Sequence, residues 1–378
     1  QDLLLLLGDA IEVHAGRSIT TDVLSTALDV IQAALAISSD TITIVPRVLK
    51  AMLHLKEGLS DALVTRLFGL LLQCVASTSE SAEVGECIAL LAAREGTSPA
   101  AVYDMYFDVQ LSGILAESLD DNWSDSDPSR KMLHELLRRT STMSLARCFN
   151  DGLGGQLIEM LCFQSDPDRC TPSCRVDVIE SVYDVARRAS EEGGGPLLEA
   201  LKKSSQTPSD TEPHHLTIGC VSTTIDLPRA SPPAVSLVTG VLLSNLIWRP
   251  GQANTRIRKA SLLALHTILP AIEPNWMRSI LDELIPLLKS SLDDAFTPDN
   301  RHLATTVIID IFGKMADDQQ LDEFDAEVLR ECYPDLLKRL DDSVDEIRIL
   351  ACRALEVLME VLSSRPGTMK ALSNSVFG

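Results

Sequence analysis

The sequence predicts an all-α protein built from stacked helix pairs, and three observations carry that reading. Apolar residues recur at i, i+3, i+4 and i+7, not in strict alternation, through blocks of about 12–20 residues. Apolar residues reach 45% of the chain while aromatics make up only 4%. That balance disfavours β-sandwiches and barrels, whose strands favour aromatic and β-branched residues. It suits Leu- and Ala-rich helices, which lose little side-chain entropy on forming. Finally, the last third of the chain repeats itself at a spacing in the forties.

Taken in order, Leu24, Leu28, Ile31 and Leu35 form the first clear stripe, and Val48, Met52 and Leu55 begin another. Leu63, Leu67, Leu70 and Leu71 follow, then Val84, Ile88 and Leu91, then Val102, Met105 and Val109. A single block over 132–149 carries Leu133, Leu136, Leu137 and Leu145. The breaks at Gly58–Ser60, Gly96–Pro99 and Asp120–Pro128 have turn composition. Residues 1–201 are therefore expected to be helical repeats. Between 202 and 233 the stripe stops, and Pro208, Pro213, Pro228, Pro232 and Pro233 stand among many Ser and Thr. This stretch is far longer than a helix–helix connection and reads as a mobile insert, with a short extended piece at Leu216–Ile225. Its Thr207-Pro208 and Ser231-Pro232 pairs are of a kind common in any solvated loop. Residues 234–365 resume the repeats, and 366–378 form a tail.

Three segments of the last third align on their arginines: RKASLLALHTI from Arg258, RHLATTVIIDI from Arg301 and RILACRALEVL from Arg348. Small residues fall at equivalent places (Ser261, Ala304, Ala351), as do apolar ones (Leu265, Ile308, Leu355, and Ile268, Ile311, Leu358). Pro286-Leu-Leu-Lys and Pro334-Asp-Leu-Leu-Lys, each running into Leu-Asp-Asp, give a second register. A period of about 40–47 residues with two helices per unit is the signature of a HEAT/armadillo-type α-solenoid, a right-handed superhelix of antiparallel helix pairs. Seven to nine units would fit the length. Pro334 suits a first helical turn, where its missing N–H costs nothing. Ser343 with Glu346 reads as a capping box. In such arrays the turn acid and the arginine after it, here Asp342 and Arg348, are expected to pair between units, which makes Arg258, Arg301 and Arg348 structural before functional.

Composition excludes several function classes. Lys plus Arg number 33 against 54 Asp plus Glu, a formal charge of −21; such a field repels phosphate backbones and anionic lipid. No uninterrupted apolar run reaches the roughly 18–20 residues of a membrane span. Leu3 to Leu7 lacks the basic region and cleavage site of a signal peptide. Nine scattered cysteines read as reduced, mostly buried thiols of a cytoplasmic protein.

Candidate chemistry is sparse. Cys162, Cys170 and Cys174 suggest a thiolate metal site, but C-x3-C is not a zinc knuckle and His214 and His215 lie in the insert. No metal, cofactor or catalytic residue is expected. Gly152-Leu-Gly154-Gly155 lacks a preceding strand, and no nucleophile elbow or Walker lysine occurs. A helical hydrolase with a centre near Cys162–Cys174 is the enzymatic alternative. Between Asp317 and Glu346 stand 12 acids against Arg330, Lys338 and Arg339, and a second acid run surrounds Trp123. Both read first as solvated faces and helix N-terminal charge, and second as an acidic rim that steers a basic partner. Against this field stand Trp248, Arg249, Arg256, Arg258 and Lys259. A lone Trp in a repeat is ordinarily core packing, yet Trp and Arg are the commonest interface anchors. Trp248, Arg249, Arg256 and Lys259 are accordingly the candidate partner-binding residues.

The run from Tyr333 through Pro334, Asp335 and Asp342 to Arg348, and the segment Asn245-Leu-Ile-Trp248-Arg-Pro-Gly251 followed by Ile257-Arg258, resemble the C-terminal repeats of HEAT-repeat axonemal dynein assembly factors. The resemblance covers about residues 236–362; upstream only the helical character matches, and the insert departs from the pattern. It implies the C-terminal half of a longer solenoid that acts in the cytoplasm in preassembly of dynein arms for motile cilia. It also implies binding of dynein intermediate and heavy chains alongside chaperone-type co-factors. From its charge and composition the chain is expected to bind neither nucleic acid nor membrane, and it is expected to be monomeric. The alternative is a HEAT transport receptor or phosphatase-type scaffold that holds a basic cargo segment.

Overall fold

The computed structural model describes the chain apart from residues 1, 15–18, 38, 56–58, 79–80, 119–122, 126, 192, 204–230, 317, 319–320 and 364–378. The bulk of the expected insert, with His214, His215 and Cys220, and the expected tail lie outside the described residues. Among the described residues every regular element is helical. The chain is an all-α solenoid of the HEAT/armadillo type, and it divides into two compact units, 1–148 and 149–378.

The first unit holds α1 (Asp2–His14), α2 (Thr21–Ile37), α3 (Val45–Leu53), α4 (Asp61–Thr78), α5 (Ala82–Glu95), α6 (Pro99–Ser118) and α7 (Pro128–Arg139), and most of α8 (Thr142–Asn150), whose last two residues belong to the second unit. Helices α1, α3 and α5 pack in one layer, while α2, α4 and α7 pack in a second. The expected stripe of α2 is the buried one: Leu24, Leu28 and Ile31 have no exposed area. Helix boundaries follow local chemistry. Pro46 occupies the first turn of α3, where no amide is missed. Helix α5 stops at Gly96, whose φ of 66° needs a residue without Cβ. Asp127 accepts the Ser129 amide at 2.8 Å and, with Pro128, starts α7.

Helix α6 turns a different face inward from the one its aliphatic stripe suggests. Met105 and Val109 are 48% and 59% exposed, while Val102, Tyr103, Tyr106, Phe107 and Leu111 are buried. Phe68 of α4 explains the rotation: it meets Tyr103 edge-on at 5.5 Å and stacks on Tyr106 at 5.0 Å. Three aromatic rings bury more apolar area than Met105 and Val109 would. The expected single block over 132–149 is also two helices. Thr140 takes an extended conformation, its hydroxyl donates to the Leu136 carbonyl at 2.7 Å, and Asp104 accepts the Ser141 amide at 2.8 Å. Helix α4 is long and apolar enough by composition to cross a membrane; its stripe from Leu63 to Val75 is buried in this unit.

The second unit comprises α9 (Leu153–Gln164), α10 (Pro172–Glu191), α11 (Pro196–Lys202), α12 (Pro233–Leu237), a five-residue π segment (Val238–Leu242), α13 (Leu243–Leu246), α14 (Gln252–Ile268), α15 (Pro274–Arg278), α16 (Leu281–Leu292), α17 (Pro298–Ala316), α18 (Glu323–Arg330), α19 (Tyr333–Arg339) and α20 (Asp345–Ser363). Helices α10, α14, α17 and α20 lie side by side in chain order. Helices α9, α12–α13, α16 and α18–α19 form the facing layer, so each pair has one helix in each layer. The aligned small residues Ser261, Ala304 and Ala351 are fully buried, which lets neighbouring backbones approach. Pro334 stands in the first turn of α19 as expected, but its counterpart Pro286 lies inside α16. The expected capping box at Ser343 and Glu346 gives way to a later start. Helix α20 begins at Asp345, and Asp342 accepts the Val344 amide at 3.1 Å. A capping box does form at Asp322 and Asp325, at the head of α18.

Candidate functional site

In the second unit the stacked helices are joined by a line of buried arginines. Arg258 on α14 donates to Asp294 at 2.8 Å, and Arg301 on α17 grips both oxygens of Asp342 at 2.8 and 2.9 Å. Each guanidinium thus reaches an acid in the turn of the next pair. Each next arginine also reaches back: Arg301 to the Asp294 carbonyl at 2.8 Å, Arg348 to the Asp342 carbonyl at 2.7 Å. The expected Asp342–Arg348 pairing is therefore corrected. The carboxylate goes to Arg301, while Arg348 donates to the Asp342 carbonyl and pairs with Asp345 on its own helix. The hydrogen bonds from Arg301 keep the Asp342 carboxyl below the usual carboxylate range.

One rung differs in chemistry. Arg175 on α10 donates to the amide oxygen of Asn245 at 2.7 Å, and Asn245 in turn donates to the Ser165 carbonyl at 3.1 Å and the Val241 carbonyl at 2.7 Å. A neutral amide stands where the other rungs have a carboxylate. Burial, and then the Arg249 charge, draw Arg175 down to about 10. The segment from Asn245 to Arg258 now has a physical reading. Asn245 clamps two turns, Leu246 is core, Gly251 takes φ 104° ahead of α14, and Arg258 enters the stack.

The basic cluster around Trp248 does not converge into a patch. Arg258 is buried in its ion pair; Arg249 donates twice to Asp168 at 3.2 Å, and Lys259 is paired with Asp299 on α17. Arg256 is exposed. Trp248 is 52% exposed in the turn between α13 and α14, not the packing residue that a repeat tryptophan ordinarily is. The corresponding turn of the next pair, between α16 and α17, presents Phe296 at 89% exposure. Asp294 shapes that turn by accepting the Phe296 and Thr297 amides, both at 3.1 Å. Two successive turns thus hold an aromatic ring outward at the same end of their helix pairs. Sequence reasoning missed Phe296; the signal is a phenylalanine caught between a turn acid and the helix-starting Pro298, belonging to no stripe.

The acid runs are largely structural. Trp123 is buried, and its indole N–H donates to Ser118 at 2.9 Å. From the later run, Asp318 pairs with Arg278, Asp335 and Glu331 with Lys289, and Asp345 with Arg348. The thiols sort similarly. The sulfurs of Cys170 and Cys174 lie 3.6 and 3.5 Å from the Phe163 and Gln164 carbonyl oxygens, and a hydrogen bond from Cys174 draws the Cys170 thiol downward. Cys162 instead faces Gly240. Burial pushes Cys74 and Cys332 up to about 12. Among the described residues, no group of three or more His, Cys, Asp or Glu is arranged to hold a metal ion.

No family model matches the chain. Among solved structures, an engineered protein has a TM-score of 0.43 at 14% identity, covering 80% of this chain and 98% of its own; a designed armadillo repeat protein has 0.40 at 14% identity, covering 77% and 99%. Among curated proteins the chain is similar to dynein axonemal assembly factor 5 of Xenopus laevis, 25% identical over 122 residues, 32% of this chain and 14% of that protein. It is likewise similar to dynein axonemal assembly factor 5 of Mus musculus, 26% identical over 133 residues, which are 35% of this chain and 15% of the relative's length.

Proposed function

We propose that this chain is a non-catalytic protein-binding scaffold that serves in the cytoplasm as an assembly factor for axonemal dynein arms, where it holds dynein subunits such as an intermediate chain. The observation that carries this reading is the sequence similarity to dynein axonemal assembly factor 5 from two vertebrates. The fold is compatible with it: stacked helix pairs offer many turns and edges for extended contacts and need no reactive centre. On this reading residues 1–201 and 234–365 supply the helix pairs, 202–233 is an insert between them, 366–378 is a tail, and chaperone-type co-factors join at the same scaffold.

The contact edge we assign to Trp248 and Phe296, with Arg249, Arg256 and Lys259 as the charged residues beside them. Tryptophan and arginine are enriched among the few interface residues that carry most of the binding energy, and truncating such an anchor costs about 2 kcal/mol or more. Affinity purification of the tagged chain from ciliated cells should recover dynein intermediate and heavy chains. Trp248→Ala with Phe296→Ala should keep the urea midpoint and lose that recovery by roughly 30-fold or more, the equivalent of about 2 kcal/mol. Recovery of importins or phosphatase subunits in place of dynein would replace this reading with a transport or phosphatase scaffold. Undiminished dynein recovery by the double variant would move the contact edge elsewhere.

A further inference from the structure

Helix α20 exposes the face that its stacked predecessors bury. Counting four, seven and eleven residues on from each ladder arginine gives Leu262 and Leu265 in α14 with Leu269 just past its end, and Thr305, Ile308 and Phe312 in α17. Both sets are at most 2% exposed. The same count in α20 gives Cys352, Leu355 and Met359, of which Cys352 is exposed, Leu355 is half-buried and Met359 is 39% exposed. Ile349 beside them is 68% exposed, and together with Arg353 and Glu356 they line one shallow depression. The ladder is open at the same place. Arg258 and Arg301 each reach an acid on the following pair, whereas Arg348 turns to Asp345 on its own helix. Internal repetition therefore identifies this as a stacking face that no described residue covers.

We propose that the face closes on the same face of a second copy of this chain, the two α20 helices lying antiparallel about a two-fold axis between Ala354 and Leu355. A two-fold interface requires a patch complementary to itself, and the order of residues along α20 meets that condition. Antiparallel apposition about this point sets Ile349 against Met359 of the second copy and Arg353 against Glu356 of the second copy, each contact occurring twice. Leu355 meets its own counterpart beside the axis. Arg353 and Glu356 are both exposed in the single chain, so the pairing needs no rearrangement of the core. A single helix pair is a small interface, and the association is correspondingly weak, in contrast to the monomer expected from sequence. This inference is independent of the dynein reading.

Sedimentation equilibrium of the full chain from low to several hundred micromolar should show a reversible monomer–dimer equilibrium. A short bismaleimide should link two chains through Cys352, and Cys352→Ser should abolish the link. Leu355→Asp should weaken dimerisation at least tenfold with an unchanged urea midpoint. Arg353→Glu should weaken it, and adding Glu356→Arg should restore it, because the reversed charges again face each other across the axis. A chain that stays monomeric throughout overturns the proposal. Fast maleimide labelling of Cys352 would then leave the face to a different protein, and slow labelling would assign it to residues 364–378. A dimer indifferent to Leu355→Asp and to the charge exchange overturns it as well.

Discussion

Arg301→Ala should lower the stability of the second unit by about 3 kcal/mol, near the lower end of the range for removing one partner of a buried ion pair. The side chain is 7% exposed and that of Asp342 1%. Truncation leaves the carboxylate buried with only Arg339 at 3.1 Å and the Val344 amide at 3.1 Å, which is why the loss does not reach the upper end. The backward bond to the Asp294 carbonyl is lost in the same step. Repeat arrays hold together by nearest-neighbour contacts, so urea unfolding should split into two phases, with the α18–α20 pair melting first. The double variant Arg301→Ala, Asp342→Ala should be less damaged than the sum of its singles.

The pH dependence supplies an independent check. Asp342 is more acidic in the folded chain than when free, chiefly through its hydrogen bonds with Arg301. Its contribution is complete above the unfolded carboxyl value of about 3.9 and fades as pH falls through the lower folded value. The stability gap between the parent and Arg301→Ala should therefore be full at neutral pH and narrow below about pH 4. A gap constant down to pH 2 would mean that the arginine acts by packing alone.

Gly240→Ala should be the second damaging change, and its cause is local enough to be reversed. A Cβ on Gly240 would fall 2.2 Å from the sulfur of Cys162, inside the π segment where Val238, Val241 and Leu242 have no exposed area. Relief requires a shift of α9 or an unfavourable cysteine rotamer, at about 1–3 kcal/mol. The helical preference of alanine over glycine offsets up to about 1 kcal/mol of that. Cys162→Ala removes the sulfur. Gly240→Ala combined with Cys162→Ala should then be at least as stable as Cys162→Ala alone, measured by urea midpoints. If the double variant keeps the full loss, the glycine is required by the backbone of the π segment and not by the sulfur.

Much of this architecture was readable from residue type and spacing. Buried stripes such as Leu24–Leu28–Ile31 follow directly from helical periodicity, and the seam residues Ser261, Ala304 and Ala351 from repetition. Helix α6 was misread because aliphatic spacing at Val102, Met105 and Val109 competes with an aromatic face one residue away, and only the position of Phe68 on another helix decides between them. Repetition marked the ladder arginines but not which neighbour each would grip, since that depends on how one turn sits over the next helix. Asn245 was hidden as a rung because its chemistry differs from Asp294 and Asp342. Phe296 was hidden because a residue outside every stripe gives no periodic signal.

The neutral rung at Asn245 makes the second unit directional. An amide has no proton to gain in acid, so the Arg175–Asn245 rung between α10 and α14 keeps its hydrogen bond, while the Asp342 carboxylate is neutralised once the pH falls below about 4. Acidification should accordingly undo the array from its C-terminal side inward, as a zip opens from one end.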